Sequence, residues 1–287
     1  MTGRHLSYEV VDVFTDRAFA GNPLAVVLDA DDLSTAQLQS IAREFNLSET
    51  SFPMKTDEAG ADYRLRIFTP AQELPFAGHP SVGAADVLLR LGRIASGRIV
   101  QSCGAGLLSL DVTPAAVTLS GGEPSWGEPL AAEGLLAAVG LDAADLAGVP
   151  RKASCGLEFT FLPVVPAALA RVDVDLRAVA AYGGAGVSVF AWDGASARAR
   201  VFAAGAGVPE DPATGSAGVA LGVYLVVSGL VAADGETSYD ILQGVEMGRP
   251  SLLRCAVSAC AGKPVETRVS GSTVPVARGE ISVPAGA

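Results

Sequence analysis

The sequence predicts an α+β protein of two pseudo-symmetric lobes, each a curved, mostly antiparallel sheet wrapped around a central helix. Three observations carry that prediction. A short signature occurs twice. His79-Pro80-Ser81-Val82-Gly83-Ala84-Ala85 and Asp211-Pro212-Ala213-Thr214-Gly215-Ser216-Ala217 share the frame polar residue, Pro, two variable residues, Gly, one variable residue, Ala, and lie close to half the chain apart. Each copy opens the one long apolar helical pattern of its half, and around these two helices strand patterns far outnumber helical ones. Proline suits the first helical position, where its missing N–H would be unpaired anyway. That would put His79 and Asp211 at the N-caps, and the small residues that follow would let a ligand approach the backbone closely. Two such helix starts facing each other would aim unpaired N–H groups and positive dipole ends at a small anion between the lobes.

The elements follow in order. Tyr8 to Phe14 alternates and is rich in β-formers, so it reads as a strand. Gly21-Asn22-Pro23 marks a turn before a short apolar strand, Leu24 to Leu28. Ser34 and Gln37 form a capping box ahead of Leu38, Ile41 and Phe45, which predicts a helix over about 35–45. Glu49 to Met54 and Asp62 to Phe68 read as strands. The helix after His79 carries Val82, Ala85, Leu88 and Leu89, and short strands fit Arg98 to Ser102, Gly106 to Val112 and Ala116 to Ser120. Gly121 to Pro129 reads as a connection and marks the lobe boundary. The expected lobes are residues 1–120, with a tail of about 274–287 free to return to them, and residues 121–273. In the second lobe the Ala-rich stretch around 130–147 predicts a short helix pair. Strands fit Phe159 to Val165, Val187 to Trp192, Ala199 to Ala203, Asp240 to Gln243, Ser251 to Val257, Val265 to Val269 and the tail to Val283.

Composition bounds the function. Hydrophobic residues make up 49% of the 287-residue chain and charged ones 18%, enough for a large core and against disorder. The net charge of −11, with no basic stripe, argues against a nucleic-acid partner and requires that any anion meet a local positive site. Cys103, Cys155, Cys255 and Cys260 match neither a zinc site nor a disulfide framework, which predicts free, mostly buried thiols. With His5 near the terminus and only His79 besides, no metal site is expected. Met1 to Tyr8 has no apolar leader, so a cytoplasmic protein is expected. Pro212 to Ala233 is uncharged and long enough to span a bilayer. It carries Gly215, Gly218, Gly222 and Gly229 and is flanked by Asp211 and Asp234, so a buried central helix is the expectation and no membrane partner is implied.

Acid/base candidates are few. Glu49 sits at a helix-to-strand transition in Asn46-Leu47-Ser48-Glu49-Thr50, while Glu44 beside Arg43 reads as a surface residue. Gly78, Gly215 and Ser216 would offer backbone N–H groups and one hydroxyl to a carboxylate. Gly205-Ala206-Gly207 lacks the third glycine of a dinucleotide fingerprint and is followed closely by Pro209. Ser216 lies in no G-x-S-x-G elbow.

Taken together, the motifs resemble the PhzF-like family of phenazine-biosynthesis isomerases, which shares its fold with diaminopimelate epimerase. The matching segments are Gly21-Asn22-Pro23-Leu24-Ala25-Val26, Asn46-Leu47-Ser48-Glu49-Thr50, Arg66-Ile67-Phe68-Thr69-Pro70, Glu73-Leu74-Pro75-Phe76-Ala77-Gly78-His79-Pro80, the segment Asp211 to Ala217, and Gln243-Gly244 with Met247-Gly248-Arg249-Pro250-Ser251. Residues 121–185 carry no such motif. The resemblance implies a cofactor-free enzyme, usually a homodimer, acting on a small-molecule carboxylate between its lobes. It implies Glu49 as the proton-shuttling group, with His79 and Asp211 lining the substrate. Epimerases of this fold use a cysteine at each helix start, whereas Gly78-His79 and Asp211 stand in those neighbourhoods here, which disfavours a thiol pair. The expected reaction is a proton transfer on a small cyclic or amino-acid-like carboxylate, with trans-2,3-dihydro-3-hydroxyanthranilate as the phenazine case. A non-thiol amino-acid epimerase or racemase and a non-catalytic small-anion binder are the alternatives.

Overall fold

The computed structural model describes residues 4–285; Met1 to Gly3, part of the stretch read for a leader, lie outside the described residues. The chain divides into two compact units, Met1–Leu119 with Ser270–Ala287, and Ser120–Val269.

In the first unit β1 (His5–Val13) pairs antiparallel with β2 (Asn22–Val27). The chain then passes through α1 (Thr35–Phe45) to β3 (Glu49–Met54), which runs parallel to β2. The Ser34–Gln37 capping box forms as expected and fixes the start of α1. Leu38, Ile41 and Ala42 turn inward against Leu6, Val27, Phe52 and Phe68. Next come β4 (Tyr63–Phe68), antiparallel to β3, the short β5 (Glu73–Leu74), and α2 (Gly78–Arg90). β6 (Gly97–Cys103) returns parallel to β4, with β7 (Gly106–Val112) and β8 (Val117–Ser120) added antiparallel. The last strand, Thr273–Ser282, lies antiparallel along the free edge of β1, with His5 opposite Ser282 and Val13 opposite Thr273.

The second unit opens on β9 (Pro124–Pro129), so most of the expected connection is a strand; it pairs with β10 (Arg151–Cys155). Between them lie α3 (Ala132–Ala138) and a 3-10 turn at Ala143–Asp145, in place of a helix pair. β10 escaped prediction because Arg151 and Lys152 open it and Ser154 interrupts its apolar run. The unit continues with β11 (Glu158–Pro163), α4 (Leu176–Ala180), β12 (Gly186–Trp192), β13 (Ser196–Ala203), β14 (Val208–Asp211), α5 (Gly215–Val227), β15 (Gly235–Gln243), β16 (Ser251–Cys260) and β17 (Lys263–Gly271). The order of pairings repeats between units. β1–β2, β2–β3, β3–β4, β4–β6 and β6–β7 run antiparallel, parallel, antiparallel, parallel, antiparallel. The steps β10–β11, β11–β12, β12–β13, β13–β15 and β15–β16 follow the same sequence. In each unit a short strand, β5 or β14, directly precedes the long helix.

Both long helices are buried along nearly their whole length. α5 has no polar face, and no helix among the described residues is long and apolar enough to cross a membrane. Its glycines serve packing instead. A Cβ at Gly222 would lie 2.6 Å from Tyr239 Oη and 3.0 Å from Val257 Cβ. The Tyr239 hydroxyl in turn donates to the Gly218 carbonyl at 2.8 Å, one turn earlier. Alanine is the better helix former by up to ~1 kcal/mol, yet here the added methyl overpacks the contact. Gly222→Ala is therefore expected to destabilise the protein by about 1–3 kcal/mol, read as a lowered urea unfolding midpoint.

Candidate active site

The first unit holds three of the predicted site residues, Glu49, Gly78 and His79. α1 ends at Asn46 in the left-handed conformation, φ 50°, which turns the chain so that Glu49 becomes the first residue of β3, opposite Leu24 of β2. Gly21, at φ +67°, begins the approach to β2, and a Cβ there would meet the Val13 carbonyl oxygen at 2.4 Å. Asn22 follows and is fully buried. His79 is the second residue of α2, behind Gly78. These elements bring His79 Nε2 to 3.4 Å from Glu49 Oε2, with the two residues only 5% and 9% exposed. On the other side of the ring, Asn22 Nδ2 lies 3.2 Å from His79 Nδ1, and the Ser48 hydroxyl donates to Asn22 Oδ1 at 3.1 Å. Burial pushes the His79 imidazole down to about 3, so the ring is neutral at neutral pH. Glu44 is exposed, as expected.

The second unit holds Asp211, Gly215 and Ser216. Asp211 ends β14 and is 8% exposed. Its carboxylate accepts from the Thr214 hydroxyl, and Gln243 clamps the loop from the far side. Gln243 Nε2 donates to the Asp211 carbonyl at 2.7 Å and to Thr214 Oγ1 at 3.0 Å, while its Oε1 accepts from the Thr214 amide at 3.2 Å. Gly244 beside it has φ +73°, and a Cβ there would meet the Pro212 carbonyl oxygen at 2.6 Å. Gly215 is buried and Ser216 half-buried in the first turn of α5.

The N-caps differ from the sequence expectation. α2 is capped by Ala77 and α5 by Thr214; His79 lies inside its helix and Asp211 lies in a strand ahead of its own. When the helix starts are superposed in sequence, Ala77-Gly78-His79 matches Thr214-Gly215-Ser216. The written repeat is thus displaced by five residues from the structural one. The cause is that Pro80 is accepted within the first turn, where no intrahelical N–H is needed, while Pro212 stays outside. Neither start has a side-chain cap, so first-turn amides at Gly78 and at Gly215 and Ser216 are not covered by their own cap residues. Asn22, Ser48, Thr214 and Gln243 were not singled out as site residues. They lie in the segments that carry the family resemblance, but polar residues of these types are as common in turns.

None of the four cysteines lies at a helix start. Cys155 and Cys255 are buried, Cys103 is half-buried and Cys260 is exposed, so burial is less general than expected. Burial raises the Cys155 and Cys255 thiols, which keeps them protonated and unreactive. Among the described residues no group of three or more His, Cys, Asp and Glu is arranged to hold a metal ion.

Two long buried helices, each in a sheet with the same order of pairings, place the chain in the fold that solved structures of two kinds share. A probable proline racemase from Agrobacterium radiobacter shares the fold at a TM-score of 0.68 and 13% identity, over 97% of this chain and 93% of that one. A PhzF-family phenazine biosynthesis protein of Bacillus anthracis shares it at 0.89 and 24% identity, over 97% and 99%. The trans-2,3-dihydro-3-hydroxyanthranilate isomerase of Pseudomonas chlororaphis is 36% identical over 285 residues, covering 96% of this chain and 98% of the relative. The PhzC-PhzF model, described as phenazine biosynthesis-like protein, matches residues 11–279; the chain belongs to that family and is an isomerase.

Two predictions follow from this geometry. The folded-state pKa of His79 lies below its unfolded value of about 6.5, so the unfolded chain takes up a proton that the folded chain refuses. The stability this confers is complete above about pH 6.5 and is lost as the pH falls toward 3. Between pH 7 and pH 5 the wild type should lose about 2 kcal/mol more unfolding free energy than His79→Gln, from urea titrations at both values. Gln243→Leu removes the donor to the buried Asp211 carbonyl and should cost about 1–3 kcal/mol in the same assay.

Proposed function

We propose that this isomerase moves one proton on a small cyclic carboxylate, with Glu49 as the group that takes and returns it. The observation that carries this reading is the placement of the Glu49 carboxylate, 9% exposed, at 3.4 Å from a buried, neutral imidazole. Burying a carboxylate costs several kcal/mol unless polar groups compensate. A weakly basic neighbour does not compete for a proton that Glu49 has taken.

The substrate class comes from the relatives, three of which are named trans-2,3-dihydro-3-hydroxyanthranilate isomerases at 35–36% identity. With that substrate the C3–H bond breaks toward Glu49, and the electron pair moves through the ring π-system to C1. The newly formed carboxylic acid then protonates C1. Atoms and charge balance with one proton, and no oxidant or reductant is required. On this reading Gly78 and the α2 start, with Gly215, Ser216 and the α5 start, favour the substrate carboxylate through backbone N–H groups and positive dipole ends. His79 and Asp211 hydrogen-bond its amino and hydroxyl groups. The two lobes of this reading are residues 1–120 with the 274–287 tail, and residues 121–273; a cytoplasmic homodimer without cofactor belongs to it as well.

The test is NMR of purified protein incubated with trans-2,3-dihydro-3-hydroxyanthranilate in D₂O, with Glu49→Gln alongside. Wild type should convert the substrate, and Glu49→Gln should lose at least ~10²–10⁴-fold in kcat while still binding it. Wild-type turnover by Glu49→Gln would remove Glu49 from the role; an unchanged substrate with wild type would remove the substrate assignment.

A further inference from the structure

The Glu49–His79 contact has a direction, and the residues behind the ring set it. A neutral imidazole carries one proton, on Nδ1 or on Nε2, and the group facing the other nitrogen decides which. Ser48 Oγ donates to Asn22 Oδ1 at 3.1 Å, so the carboxamide presents its NH₂ to the ring. Asn22 Nδ2 then meets His79 Nδ1 at 3.2 Å as a donor, which requires a lone pair on Nδ1 and puts the ring proton on Nε2. Nε2 is the nitrogen that faces Glu49 Oε2, 3.4 Å away. Asn22 is fully buried and begins β2, while Ser48 precedes β3, the strand paired in parallel with β2. The carboxamide thus sits on a rigid strand pair, with its Oδ1 toward the Ser48 hydroxyl and its NH₂ toward the ring.

We infer that Ser48 and Asn22 are positioning residues that lock His79 in the Nε2–H tautomer, so that the ring turns a donor, and not a lone pair, toward Glu49 and the substrate beside it. The functional part of this inference rests on Glu49 being the acid/base group; the tautomer does not. At 3.4 Å the ring N–H makes no completed hydrogen bond to Glu49 Oε2; it sets a donor beside one carboxylate oxygen, open to the substrate, and leaves the second oxygen for the substrate proton. The opposite tautomer would aim a lone pair at the carboxylate and push the two groups apart.

The chain holds two histidines, His5 and His79, which makes the tautomer directly observable. Protein labelled with ¹⁵N-histidine is examined without substrate at pH 7 by long-range ¹H–¹⁵N correlation, with His79→Gln to assign the signals. The expected wild-type pattern is a neutral His79 ring protonated on Nε2. Asn22→Asp replaces the donor with an acceptor and should move the proton to Nδ1, and kcat should fall by ~10–100-fold, the worth of a hydrogen bond to a charged group. Ser48→Ala releases the carboxamide and should lower kcat less, with a mixed tautomer population. An Nδ1–H ring in the wild type overturns the inference, whether or not Asn22→Asp folds, as does an unchanged tautomer in Asn22→Asp. Full turnover by Glu49→Gln would sink the functional reading while leaving the tautomer result standing.

Discussion

A carboxylate and an imidazole are held 3.4 Å apart and away from water, and much of the first unit is arranged to make that possible. His79 rides on α2, so the helix must be set against the sheet to within a few tenths of an ångström. Gly83 permits this, since a Cβ there would lie 2.6 Å from Leu24 Cδ2 and 2.9 Å from Val13 Cγ2. A buried polar chain fixes the helix head. The Tyr63 hydroxyl donates to Gln101 at 2.8 Å, Gln101 donates to Ser81 at 3.0 Å, and Ser81 donates to the Ala77 carbonyl at 2.9 Å. Fully connected networks of this kind specify one arrangement, because each alternative strands a buried donor or acceptor.

The second unit solves a related problem with amide chemistry. Asp211 is oriented by Thr214 and by Gln243, which uses both ends of its side chain on one loop. Gly244 lets the β15 end pass within contact of Pro212, where any side chain would collide. The Gln-Gly pair is thus the counterpart, in this unit, of the Gly-Asn pair at residues 21–22. Each joins a positive-φ glycine to a carboxamide that anchors a loop or a ring of the candidate site.

Legibility in the sequence followed physical locality. The Ser34–Gln37 box named its helix because the cap is a contact between residues three apart. The class of fold was visible because β-rich segments surround two apolar helices. β10 was hidden by its charged and polar positions, since Lys152 pairs with Glu158 and Arg151 reaches the Gly127 carbonyl, contacts that only the folded sheet supplies. The repeat was visible as letters and displaced as structure, because proline tolerates both the first turn of a helix and the residues before it. The site residues came from motif resemblance, whereas the roles of Asn22 and Gln243 depend on which nitrogen or oxygen faces which neighbour, and composition does not encode that.

The strand Thr273–Ser282 completes the first unit by pairing with β1 along its whole length. The second unit is continuous in sequence, so the ribosome delivers all of it before the first unit receives its final strand. Synthesis order and assembly order are therefore inverted for this protein. The half that is translated first waits with an open sheet edge, and the Glu49–His79 pair acquires its finished surroundings only after all of the second unit has been made.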